Sequence, residues 1–92
     1  MKKIRLILHA EGRLKRYGVN RELVDDAINN PAEVIRGKRK GKSERWIAHK
    51  LLDDEYLLRV IYEFKNEDIK VITLYISKRE RYYRGGIRED KL

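Results

Sequence analysis

The chain has no cysteine and no glutamine, only one proline, and only four asparagines. Without cysteine there can be no disulfide, no thiolate nucleophile and no cysteine-built zinc site, and two histidines alone make a poor metal site. No metal and no cofactor are expected. No apolar run approaches the roughly 20 residues that a membrane-spanning helix needs. The start, MKKIRLILHA, is basic, but its apolar run is too short and too interrupted for a secretory signal, so a cytoplasmic protein with no membrane partner is expected.

What the chain has in abundance is charge. Charged residues make up 41% of its 92 positions, and 23 Lys and Arg against 15 Asp and Glu leave a formal charge of +8 with a pI near 9.8. A length of 92 residues supports one core, so residues 1–92 are read as a single domain whose site lies on the surface of that core. Rich charge without glutamine also fits heat-adapted proteins that favour surface ion pairs, and some of the cations then only face carboxylates. Their distribution says more. Residues 22–33 carry Glu22, Asp25, Asp26 and Glu33 and no base, whereas 36–50 carry seven bases and only Glu44. Such segregation points to a polyanionic partner, RNA first and a membrane surface as the competitor.

Apolar spacing sets the expected elements. KIRLIL (3–8) reads as a short amino-terminal strand. Ala10, Leu14 and Tyr17 then form one helical stripe that ends at Gly18. Asn20 is a good cap for a second helix whose buried face is Leu23, Val24, Ala27 and Ile28 and which Asn30-Pro31 stops. AEVIRG after Pro31 could start a strand, and GKRKGKSE (37–44) reads as a mobile basic loop. Three runs follow, 45–52, 56–64 and 68–77, separated by polar turns, which is the pattern of an antiparallel meander. The expected fold is therefore α+β: a short strand, two helices, then a three- to four-stranded antiparallel meander with the helices on one face.

In the second of these runs Tyr56, Leu58, Val60, Tyr62 and Phe64 share one face, leaving Arg59 among apolar neighbours on the other. Arg59 is a candidate phosphate clamp, because a central strand holds it rigidly and its planar fork matches phosphate oxygens. The alternative is an ion pair with Glu63 or with a carboxylate on the next strand. Past the last strand, SKRERYYRGG (77–86) gathers Lys78, Arg79, Arg81 and Arg84 around Tyr82 and Tyr83, cations for a phosphate backbone and rings for bases. If extended geometry persists, Arg79 and Arg81 share one face there. His49, next to Lys50 and on the same alternation face as Arg45, and His9 at the start of the first helix have side chains whose ordinary pKa suits proton transfer near neutrality. Metal-free RNA cleavage needs a base, a fixed cation and an acid.

The stretch LLRVIYEFKNEDIKVITLYISKRERYY (57–83) resembles the carboxy-terminal half of RelE/ParE-type toxins, with an arginine and tyrosine in one strand, a polar turn, an apolar strand, then K-R-x-R and a tyrosine. The amino-terminal half, HAEGRLKRYGVNRELVDDAINNP, is similar to a related family of small uncharacterised domains with a His-Ala start, an arginine in the first helix and an Asn-Pro helix end. The resemblance implies a RelE-like fold and a messenger-RNA endonuclease, ribosome-dependent or free, held in check by an acidic antitoxin protein. Carried over residue by residue, it makes Arg59, Arg79, Tyr83 or Tyr82, and His49 the catalytic set. Lys50, Arg45, Lys78, Arg81, Tyr82 and Arg84 then bind nucleic acid. Two departures stand out: one His and one Lys replace the closely spaced lysines of the RNA-cutting toxins, and only GGIREDKL follows Arg84 where they carry a carboxy-terminal helix. ParE-like relatives share the scaffold and attack gyrase instead. Two further readings remain: a non-catalytic nucleic-acid binder, and a protein-interaction module that accepts an acidic segment.

Overall fold

The computed structural model describes residues 3–39, 41 and 43–91. It is an α+β domain in the order β1 (Ile4–Leu6), α1 (Leu8–Tyr17), α2 (Arg21–Asn29), β2 (Glu33–Arg36), β3 (Arg45–Leu51), β4 (Tyr56–Lys65), β5 (Asp68–Lys78), α3 (Arg79–Tyr82), and a final 3-10 turn at Glu89–Lys91. Between β2 and β3 the expected basic loop is described except at Lys40 and Lys42, which lie outside the described residues.

Local chemistry explains where the first elements stop. Gly18 takes the left-handed conformation (φ 64°) that ends α1, and there the amide of Val19 donates to the Leu14 carbonyl at 3.0 Å. Asn20 caps α2 by accepting from the Leu23 amide at 2.8 Å. In the β3–β4 turn, the Asp53 carboxylate accepts from the amides of Glu55 and Tyr56 at 2.8 and 2.7 Å. Asn66, at φ 59°, lets the β4–β5 hairpin turn within two residues.

The sheet differs from the expected arrangement in strand count and order. Its order is β1-β5-β4-β3-β2, five strands, with β2 to β5 antiparallel in sequence and β1 parallel to β5. The two helices carry the chain from β1 at one edge to β2 at the other, a crossover that leaves β1 running the same way as β5. At the β2 edge the chain returns as a sixth lane. The Val34 amide donates to the Ile87 carbonyl at 2.8 Å, and Val34 bridges Arg88 in parallel fashion.

The core brings Ala10 of α1 and Val24 and Ala27 of α2 against Trp46, Ala48, Leu58, Val60, Tyr62, Val71 and Leu74 of the sheet. By strand alternation, Leu57, Arg59, Ile61 and Glu63 point the other way, in register with His49 and Tyr75 at Arg59 and with Arg45 and Lys70 at Glu63. The segment after β5 is not the extended edge expected. It coils at once into the single turn α3, begun by the Arg79 amide donating to the Glu55 carbonyl at 2.8 Å. That turn breaks the strand alternation of Arg79 and Arg81.

Removing the Asn20 cap orphans an amide at the start of the helix that supplies Val24 and Ala27 to the core. Asn20→Ala is expected to cost about 1 kcal/mol, read as a melting temperature lower by roughly 4–8 °C. An unchanged melting temperature would show that the cap contributes nothing.

Candidate functional site

On the sheet face opposite the Leu58–Val60 core, four side chains from four strands join in one chain of hydrogen bonds. Arg59 of β4 donates from Nε to the Tyr75 hydroxyl of β5 at 2.8 Å and shares a 3.0 Å bond through Nη1 with His49 Nε2 of β3. His49 Nδ1 lies 2.6 Å from Oε2 of Glu33 on β2. A guanidinium can only donate, so Nε2 is the acceptor and the imidazole proton sits on Nδ1, donated to Glu33.

Glu33 is fully buried. Its oxygens also accept the amide of Arg84 at 3.1 Å, that of Gly86 at 3.1 Å and that of Ile87 at 3.3 Å. Gly85 and Gly86 have φ of 91° and 100°, a left-handed pair that turns successive amides toward one point and makes a nest for an anion. Burial alone would raise the Glu33 carboxyl, but His49 and the three amides outweigh it and hold it below its ordinary 4.5. His49 is fully buried as well. Burial lowers its pKa from the ordinary 6.5, the adjacent Glu33 raises it in part, and the Arg59 charge lowers it again, so the ring is neutral at pH 7.

Arg59 is half-buried. The Tyr82 ring of α3 lies against its guanidinium, 3.9 Å from Cζ to the ring centroid, a cation–π contact. Tyr75 and Tyr82 meet edge to face at 6.4 Å. Burial raises the Tyr75 phenol above 10.0, with the Arg59 charge pulling it down only in part.

The other residues singled out in the sequence are distributed around this chain. Arg79 donates to the Asp53 carbonyl at 2.9 Å and lies 5.4 Å from the Tyr83 ring, so consecutive tyrosines each carry one of the two arginines. Arg81 and Arg84 are exposed, and neither side chain forms an ion pair among the described residues. Lys78 reaches Glu55 at 3.9 Å. Lys50, next to His49 in sequence, faces the other side and pairs with Asp26 of α2 at 2.7 Å. Arg45 shares the His49 face but pairs with Glu63 at 2.9 Å, and Lys70 approaches the same carboxylate at 3.6 Å. His9 contacts Thr73 of β5 at 3.1 Å and takes no part in the chain.

The ion-pair alternative for Arg59 is thereby corrected, since among the described residues it meets no carboxylate. Four residues along a strand span roughly 13 Å, too far for Arg59 to reach Glu63, and the partner across β3 is an imidazole instead. Two members of the site, Glu33 and Tyr75, were not among the sequence candidates. The signal for Glu33 was a lone carboxylate opening an apolar strand; for Tyr75 it was a position in register with Arg59, visible only once the hairpin is paired.

Clefts of about 660 and 400 Å3 lie elsewhere on the surface, the larger near Tyr62 and Phe64 and the smaller near Arg5 and Lys65, and neither includes a member of the Glu33–Arg59 chain. No group of three or more metal-ligating side chains occurs among the described residues, and no helix among them is long and apolar enough to cross a membrane. No protein-family model matches the chain, and no curated protein resembles it closely enough to count as a relative.

Both buried partners have lowered pKa values, so the sign is the same for each: stability is complete above the unfolded-state pKa and lost as pH falls. His49 faces Glu33 of β2, Arg59 of β4, Tyr82 of α3 and Arg84 of the returning segment, and its proton would have to enter against Arg59. The melting temperature is expected to decline as pH drops below about 6.5, where the unfolded histidine takes up its proton, and more steeply below about 4.5, where Glu33 follows. In His49→Gln the first limb should flatten. A profile level from pH 7 to 5 in the unaltered protein would contradict a buried neutral histidine.

Proposed function

We propose that the chain is a metal-independent endoribonuclease of toxin type acting on messenger RNA, with Arg59 at the centre of its site. On this reading the fold is RelE-like, the helices pack on one face of the sheet, and RNA approaches the other. The observation that carries it is the fixing of one guanidinium by His49 and Tyr75 with its plane against Tyr82. Two of its five N–H donors are spent on this anchoring, which leaves three for the non-bridging oxygens of a phosphodiester.

Cleavage by this route forms a bond from the ribose 2′-oxygen to phosphorus and breaks the bond from phosphorus to the 5′-oxygen. Arg59 stabilises the charge that builds on phosphate in between. Tyr75, whose phenol burial keeps protonated, suits the donor that protonates the departing 5′-oxygen. Tyr82, whose ring lies against the Arg59 guanidinium, is the phenol placed to accept the 2′-hydroxyl proton. Arg79, Arg81, Tyr83 and Arg84, neighbours of Tyr82 in the chain, would hold the RNA backbone beside it. An acidic antitoxin would compete for the same cations.

One observation favours a second reading. His49 is wholly enclosed and both its ring nitrogens are taken, so the histidine cannot reach a 2′-hydroxyl without displacing Arg59. If Tyr82 is too weak a base alone, the face binds RNA without cutting it.

Incubation with messenger RNA, with and without translating ribosomes, decides between them. The nuclease reading expects cleaved product with a 5′-hydroxyl end. Arg59→Ala should lose activity by about 10²–10³-fold, while Arg5→Ala, distant from the site, should keep it. Induced expression should arrest growth, and Arg59→Ala should relieve the arrest. No product, with RNA binding that weakens steeply as salt rises, would replace the nuclease by the binder.

A further inference from the structure

We propose that Glu33 is a positioning residue which, through His49, sets the plane of the Arg59 guanidinium. This deepens the nuclease reading and rests on it for its consequence in catalysis, but the geometry it asserts belongs to the protein alone.

Free neutral imidazole favours the proton on Nε2. Here Arg59 occupies Nε2 as a donor, so that tautomer would set N–H against N–H across 3.0 Å. Glu33 removes the conflict. Its carboxylate, 2.6 Å from Nδ1, holds the proton on that nitrogen and leaves the Nε2 lone pair for Arg59. The second anchor, the Tyr75 hydroxyl on Nε, lies on the opposite side of the guanidinium from His49, across β4. Two bonds from two neighbouring strands fix the rotation of a side chain that would otherwise turn freely about its long stem.

Glu33 can do this only while ionised and immobile, and the amides of Arg84, Gly86 and Ile87 supply both conditions. Residues 84–87 therefore belong to the site although none of their amides would touch RNA. A guanidinium fixed in advance loses no rotational freedom when phosphate arrives, and the interaction it makes in the transition state is correspondingly stronger.

Nitrogen-15 NMR of the histidine ring and of Arg59 reads this directly. In the unaltered protein His49 should show the Nδ1–H tautomer with a slowly exchanging proton, and the Arg59 terminal nitrogens should show hindered rotation. Glu33→Gln should mix the tautomers and free that rotation, and RNA cleavage should fall about 10²-fold. Because Glu33 is buried and its loss can unfold the domain, two histidine variants provide the second test. His49→Asn keeps a donor near the ring Nδ1 position for Glu33 but offers Arg59 no acceptor. His49→Gln offers an acceptor near the Nε2 position but leaves Glu33 without its partner. Arg59 should rotate freely in the first and stay partly hindered in the second. An Nε2–H tautomer in the unaltered protein, or an Arg59 equally hindered in His49→Asn, would overturn the proposal. Absence of cleavage by a protein with the expected NMR signature would remove the nuclease reading and leave the positioning role standing.

Discussion

A carboxylate removed from water stays ionised only if the protein replaces the hydration it has lost, and Glu33 is fully buried. The remaining features of the site are answers to that requirement. Three backbone amides and an imidazole N–H converge on its two oxygens. To deliver the amides the chain must turn sharply after α3, which needs two consecutive residues at positive φ, and Gly85 and Gly86 supply them. Once there, the returning segment continues alongside β2, where Ile87 accepts from Val34 and the Glu89 carboxylate accepts from the Arg36 amide at 2.7 Å. One buried charge thus ties the end of the chain to the edge of the sheet.

The same carboxylate orders the charges beyond it. By fixing the histidine proton on Nδ1 it makes a neutral acceptor for Arg59, so a guanidinium can lie on this polar face with no carboxylate beside it among the described residues. Its positive charge stays uncancelled and partly accessible, unlike that of Arg45, which Glu63 takes up, or Lys50, which Asp26 takes up. The excess of 23 bases over 15 acids is therefore not spread evenly in effect. Several of the cations are held in ion pairs, as a charge-rich composition without glutamine suggested. The ones left over include Arg59, Arg81 and Arg84, close in space or sequence to one aromatic turn.

Local sequence made most of the elements legible. The stripe Ala10, Leu14, Tyr17, the cap at Asn20 and the alternation of Tyr56 to Phe64 are signals spaced by one turn or one pleat, and helices α1 and α2 and strands β3 to β5 lie within a residue or two of their expected bounds. Arg59 was visible for the same reason, as the cation that breaks an apolar alternation. Hidden from such reading were the contacts between distant segments. β1 joins β5 across some 65 residues, as the Ile4–Ile69 register shows, and Glu33 meets the amides of Arg84 to Ile87 across 51 to 54. Neither leaves a periodic trace. α3 was missed for a related reason: the run from Lys78 to Tyr83 has no apolar stripe of its own, and its first amide is held by the Glu55 carbonyl of another turn.

The enclosure of His49 bears on how any chemistry here would be divided. A histidine with an ordinary pKa and an open face is the usual proton carrier near neutrality, and the sequence made His49 a candidate for that role. In the folded chain its two nitrogens are committed, one to Glu33 and one to Arg59, and burial keeps it neutral. Its lone pair is therefore spent on orientation. On the nuclease reading, proton transfer would fall instead to groups that border the guanidinium, and among these are the phenols of Tyr75 and Tyr82. Arg59 touches both rings, so the residue that would hold the phosphate is also the one against which the two phenols are placed.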